Sequence, residues 1–159
     1  MEIDSNSCGS TQWFYFGISN TKAKKTYKFN ILNFKKKHSQ FQEGMQLWVY
    51  SEINSRKTKD ENDWRRGGKS ICYHLTDCYT RIDISFFEKC DGKYTLEFEY
   101  TPEYKNDQVY FAYSVPYTDQ NLRSDIKLWS KLLKPQKKYI LSKELLCFTL
   151  LGTKMQYIL

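Results

Sequence analysis

Glycine and proline are scarce in this chain: 7 Gly and 3 Pro in 159 residues. That scarcity argues against flexible linkers and low-complexity disorder, and no internal repeat is visible. Histidine is scarcer still, with His38 and His74 alone, which limits the supply of general bases and metal ligands. No apolar run approaches the ~20 residues needed to span a bilayer, so no membrane partner is expected. The opening "MEIDSNSCGS" has no apolar core, and no signal peptide is expected. The five cysteines, Cys8, Cys72, Cys78, Cys90 and Cys147, are odd in number and form no tight framework. A reducing compartment, the cytoplasm, fits that usage.

Catalytic signatures are also missing. There is no G-x-S-x-G elbow and no cysteine-nucleophile signature. "RRGGKS" ends like a phosphate loop, but Asp63 stands where its first glycine would be, and a strand rather than a helix follows. It reads as a turn. Cys72, His74 and Cys78 read C-x-H-x3-C, with Cys90 further on; the spacing lacks the paired C-x2-C units of a zinc knuckle. A cysteine on a strand is more often a small buried hydrophobe. His74 and Asp77 superficially resemble a metallopeptidase pair, yet His38 lies in a Lys-rich loop and nothing marks it as a third ligand. No metal or cofactor is therefore assigned to these residues.

What the chain has in excess is aromatic residues and positive charge. Aromatics make up 17 %, including 13 Tyr and 10 Phe, and such enrichment favours strands. "TQWFYF" puts four rings in succession, so a strand there carries Trp13 and Tyr15 on one face and Phe14 and Phe16 on the other. "YKFNILNF", "MQLWVYSE", "SICYHLT", "RIDISFF", "YTLEFEYT" and "DQVYFAYSVP" follow as strands. In "YTLEFEYT", Tyr94, Leu96, Phe98 and Tyr100 face in, while Thr95, Glu97, Glu99 and Thr101 face out. The next strand sets Val109, Phe111, Tyr113 and Val115 on one face and ends by Pro116. Asp91-Gly92 supplies a turn, and "NSRKTKDEND" and "KKKHSQFQEG" read as loops.

A helix is expected over about residues 118–134, with Thr118 as N-cap, Asp119 in the first turn and Pro135 as the stop. Leu122, Ile126, Trp129 and Leu133 recur at helical spacing as a buried stripe, which Leu128 and Leu132 widen. "KKYIL" and "LLCFTLL" then read as strands. The expectation is one domain over 1–159: an all-β antiparallel β-sandwich with one amphipathic helix near the C-terminus.

Net charge is +7, from 25 Lys+Arg against 18 Asp+Glu, and a basic excess attracts polyanions. Arg123, Lys127, Lys131 and Lys134 gather on one side of the helix, and no acid occurs between Asp125 and Glu144. Lysines without paired aromatics usually mean a solvated face; an acidic protein partner is the second reading, and nucleic acid ranks last because no RNP-type ring pattern or helix-turn-helix is visible. A stand-alone basic binding module is one function consistent with this charge.

Taken in order, "TQWFYFGISN", "YKFNILNF", "SQFQEGM", "WRRGGKSICY", "YTLEFEY", "VYFAYSVPYT" and "LLCFTLLGT" resemble the N-terminal domain of cytosolic carboxypeptidases. These are zinc metallocarboxypeptidases that trim glutamates, notably from tubulin. The resemblance covers nearly the whole chain and implies a central strand at "TQWFYF". Two departures are Asp119, where the family usually repeats a tyrosine, and Thr153, where an asparagine follows the glycine. The family's zinc ligands follow this region, so the resemblance implies a domain cut at both ends, with no catalytic residue and zinc only in a following catalytic domain. It implies an accessory role: packing against that catalytic domain in cis and presenting an acidic, polyglutamylated tail. Trp13, Tyr15, Pro116, Tyr117 and Gly152 are then the expected contacts with the catalytic domain, and Arg123, Lys127, Lys131 and Lys134 the expected contacts with the tail.

Overall fold

A computed structural model describes residues 11–60, 62–76, 93–133, 143–148, 152 and 154–158. The chain divides into two compact units, Met1–Pro116 and Tyr117–Leu159.

The first unit holds two antiparallel sheets. One has the strand order β1 (Tyr15–Ile18), β7 (Val109–Ala112), β3 (Leu47–Ser51), β4 (Arg65–Gly67); the other has the order β2 (Tyr27–Phe34), β6 (Tyr94–Tyr100), β5 (Lys69–Leu75). Their inner faces meet ring to ring, making an antiparallel β-sandwich. Phe29 stacks on Phe98 with centroids 4.9 Å apart, and Phe111 from the facing sheet lies 5.1 Å from Phe29 and 5.4 Å from Phe98. Leu47, Leu96, Phe98, Val109 and Phe111 are wholly buried. Offset and edge-to-face rings at these separations add to the area they bury.

The alternation of β6 places Leu96 and Phe98 inward as the sequence predicts. Thr95 departs from it: instead of facing solvent it is buried, with its Oγ1 2.8 Å from the hydroxyl of Thr76. Val115 also departs. The strand ends at Ala112, so Val115 lies beyond the ladder and is exposed. β1 is an edge strand rather than a central one among the described residues, pairing with β7 alone.

Three local devices escape the period-two reading. Asn33, at φ 72°, breaks the register of β2 after Ile31 and turns Phe34 into the core. A bulge of this kind resets which face the next residue takes. The segment read as a Lys-rich loop closes in a 3₁₀ turn, Gln40–Glu43, whose Ser39–Gln42 capping box anchors the buried Phe41. The charged segment after β3 begins as a helix, α1 (Glu52–Thr58), capped by Ser51 and supported by the Glu52–Arg56 pair at 2.7 Å. Gly68 joins the two sheets. Its φ of +91° suits glycine, and a Cβ there would lie 3.1 Å from Leu47 Cδ2.

The second unit contains α2 (Asp119–Leu133) and a hairpin of β8 (Lys143–Phe148) with β9 (Lys154–Ile158). Thr118 caps α2 as predicted: its Oγ1 accepts from the Asn121 N–H at 3.2 Å, and the Asn121 side chain accepts from the Thr118 N–H at 2.9 Å. The apolar stripe differs from expectation. Ile126 is buried, but Leu122, Leu128, Trp129 and Leu132 are exposed. The strands expected at "RIDISFF" and "KKYIL", the Asp91-Gly92 turn, Asp77, Cys8, Cys78, Cys90 and Pro135 lie outside the described residues.

Candidate functional site

Parity on the four-stranded sheet builds an aromatic outer face. Tyr15 stands opposite Ala112, Tyr50 opposite Tyr110, and Trp48 opposite Arg66, so these side chains share the face turned away from the core. Gly17 is required here. It stands opposite Tyr110, and a Cβ on it would fall 2.9 Å from the Tyr110 ring. The missing side chain lets that ring lie down and stack on Tyr15 at 5.8 Å.

Trp64, from the segment before β4, completes the group at 5.4 Å from Tyr50 and 6.2 Å from Tyr15. Tyr50 lies 6.1 Å from Tyr110. With Glu52 and Arg56 of α1, these four rings line a cavity of about 350 Å³. The Tyr110 hydroxyl donates to Glu52 at 3.5 Å and accepts from the Gln108 amide at 2.6 Å. Burial, followed by the Glu52 charge, pushes the Tyr110 phenol above its ordinary pKa. Further along the face, the Arg66 guanidinium lies 4.3 Å above the Trp48 ring.

The structure brings Trp13 and Tyr15 together at this face, 6.3 Å apart, with 51 % and 45 % of their surfaces exposed. The Trp13 indole donates to Ser114 Oγ at 3.0 Å. Pro116 is half-buried. Tyr117 is exposed, and its hydroxyl donates to Asp125 at 2.7 Å, which raises the phenol's pKa. Gly152 is exposed at φ +76°.

On α2, Arg123, Lys127 and Lys131 are exposed, and Arg123 pairs with Asp119 one turn back. Lys134 lies outside the described residues. At 100° per residue, Arg123, Lys127 and Lys131 share one side of the helix.

His74 is taken up differently from a metal ligand. Its Nε2 lies 3.3 Å from Glu97 Oε1, whose other oxygen meets Lys28 Nζ at 2.9 Å. The hydrogen bond from Lys28, together with the one from His74, lowers the Glu97 pKa. Cys72 is exposed on the same strand rather than buried. No cluster of His, Cys, Asp or Glu among the described residues could hold a metal ion.

Sequence reasoning reached Trp13 and Tyr15 but missed Tyr50, Glu52, Arg56, Trp64 and Tyr110 as their companions. The parity of Trp48 and Tyr50 in "LWVYS", and Ser51 followed by the i,i+4 pair Glu52–Arg56, were the available signals. Nothing local places Trp64 over the sheet.

No family model matches the chain. It is 38 % identical over 156 residues to chicken cytosolic carboxypeptidase 1, covering 96 % of this chain and 12 % of that protein. Human cytosolic carboxypeptidase 1 is 36 % identical over 155 residues, with the same shares. Mouse cytosolic carboxypeptidase 4 is 34 % identical over 154 residues, 96 % of this chain and 13 % of the relative. The chain thus spans about an eighth of the length of these relatives. A solved carboxypeptidase A-like chain from Shewanella denitrificans shares the fold, with a TM-score of 0.55 at 22 % identity, over 92 % of this chain and 30 % of that one. No helix among the described residues is long and apolar enough to cross a membrane. Over nearly its whole length this chain is thus homologous to one part of the cytosolic carboxypeptidases, and it is a domain of their N-terminal type.

Proposed function

We propose that this domain is a non-catalytic accessory module of a cytoplasmic zinc metallocarboxypeptidase acting on glutamate-rich protein tails such as that of tubulin. One observation carries the reading: rings that would ordinarily be covered, Trp13 and Tyr15, stand half-exposed on one sheet face. A catalytic domain in cis is the partner we assign to them, with Pro116, Tyr117 and Gly152 as further contacts. In this reading the zinc and its chemistry belong to the catalytic domain. The exposed Arg123, Lys127 and Lys131 favour approach of an acidic tail. At physiological salt their field fades over ~8 Å, so they hasten encounter more than they set affinity.

The test joins the chain to the catalytic domain of a cytosolic carboxypeptidase and follows glutamate release from a polyglutamate-tailed peptide. The chain alone should release none, the fusion should exceed the catalytic domain alone, and Trp13→Ala with Tyr15→Ala should abolish the gain. A fusion no better than the catalytic domain alone overturns the proposal. A second reading, a stand-alone basic module, rests on the same exposed lysines. It predicts saturable, salt-sensitive binding of polyglutamate or RNA by the chain alone, and flat titrations at two salt concentrations remove it.

A further inference from the structure

Tyr15, Tyr110, Tyr50 and Trp64 form a closed circuit, with successive centroids 5.8, 6.1, 5.4 and 6.2 Å apart. We propose that this box, with Glu52 at its rim, binds the guanidinium of an arginine side chain presented by a partner protein. Ring faces carry partial negative charge, and Glu52 adds a full one, so the site selects a cation over an anion. At about 350 Å³ the cavity sits at the small end of ligand sites, a size suited to one side chain. A guanidinium is planar, weakly hydrated and able to stack on a ring while donating to a carboxylate; an ammonium does only the last well.

The same sheet face already performs this recognition within the chain, where Arg66 stacks on Trp48 at 4.3 Å. The chain's own Arg56 pairs with Glu52 at 2.7 Å with 74 % of its side chain exposed. It also lines the cavity and is therefore a competitor for the incoming cation. Tyr15 also belongs to the face assigned to a catalytic domain, so the box is tested on the chain alone, where guanidinium binding and that docking are distinguishable.

The test titrates the chain with ethylguanidinium, ethylammonium and propanol, following the Trp64 indole N–H resonance, assigned by its loss in Trp64→Phe. Ethylguanidinium should shift that resonance saturably, ethylammonium more weakly, and propanol not at all. Removing the competitor gives the sharper outcome: Arg56→Ala should tighten ethylguanidinium binding by about threefold, the size expected of an exposed ion pair. Glu52→Gln should weaken it by a similar factor. Equal shifts from propanol and ethylguanidinium, no shift at all, or an Arg56→Ala variant that binds no more tightly would each overturn the inference. Because Arg56 is exposed, that variant keeps the fold and the test does not depend on a core residue.

Discussion

The carboxylate of Asp107, 2 % exposed, accepts the hydroxyl of Ser51 at 2.5 Å, and its second oxygen accepts the Ile53 backbone N–H at 3.1 Å. Ser51 is also the N-cap of α1. On the other side, the Asp107 N–H donates to Thr21 Oγ1 at 3.0 Å. One buried acid thus ties the start of α1 to two loops.

Replacing Asp107 by alanine strands a part-buried hydroxyl and a part-buried N–H. A loss of about 2–4 kcal/mol is expected in denaturant unfolding. Asp107→Asn keeps an oxygen for Ile53 and should recover more than half of that. Equal losses in both variants would mean the charge itself, rather than the hydrogen bonds, fixes the junction.

Phe98 is wholly buried between Phe29 and Phe111. Phe98→Ala should cost ~3–5 kcal/mol, measured from the shift of the urea midpoint. Trp129, 44 % exposed, should cost less than half of that on truncation to alanine. Similar costs would show that the α2 stripe is covered in solution.

Two phenols make the fold alkali-sensitive. Burial pushes Tyr73 and Tyr100 up to about 12, with the Tyr94 and Asp107 charges adding respectively. Their unfolded forms ionise near 10, so between pH 10 and 12 the unfolded chain sheds protons that the folded chain keeps. The contribution is fully present below pH 10 and disappears as pH rises through 12. Absorbance at 295 nm should resolve late-titrating tyrosines that Tyr73→Phe and Tyr100→Phe remove one by one.

Glu97 acts at the acid end. Its lowered pKa means its contribution is present above the ordinary carboxylate range and disappears as pH falls through the depressed value. Glu97→Gln should flatten that part of the stability-against-pH curve, and Lys28→Met should do so partly, since His74 remains. A curve unchanged in Glu97→Gln would show that the three-residue chain is absent in solution.

The strands were legible wherever side chains alternate without interruption. The inward residues of β6 and the first half of β2 follow their pattern because the ladder between them runs unbroken from Tyr27 to Ile31. The pattern fails where backbone geometry intervenes. Asn33 shifts parity in β2, and Thr95 is buried because Thr76 satisfies its hydroxyl, which no single-strand reading contains. α1 was hidden because its polar residues look like a loop and its anchor, Asp107, lies far along the chain. Trp13 and Tyr15 were legible as rings sharing one strand face, but the box they border is a property of four segments. Tyr110 reaches it through register and through the bare surface of Gly17, and Trp64 comes from the segment before β4.

Gly68 gives the sandwich a shared clock. A single residue separates β4, laddered to β3, from β5, laddered to β6. Apart from the irregularity between Lys69 and Cys72, the corner offers an inserted residue no place to enter. Such a residue would have to advance one of the two ladders by a step, turning its side chains over to the opposite face. Displacing β4 would lift Arg66 from Trp48, and displacing β5 would part His74 from Glu97. An outer loop can lengthen without touching either ladder, while a change of chain length through this corner bears on both sheets at once.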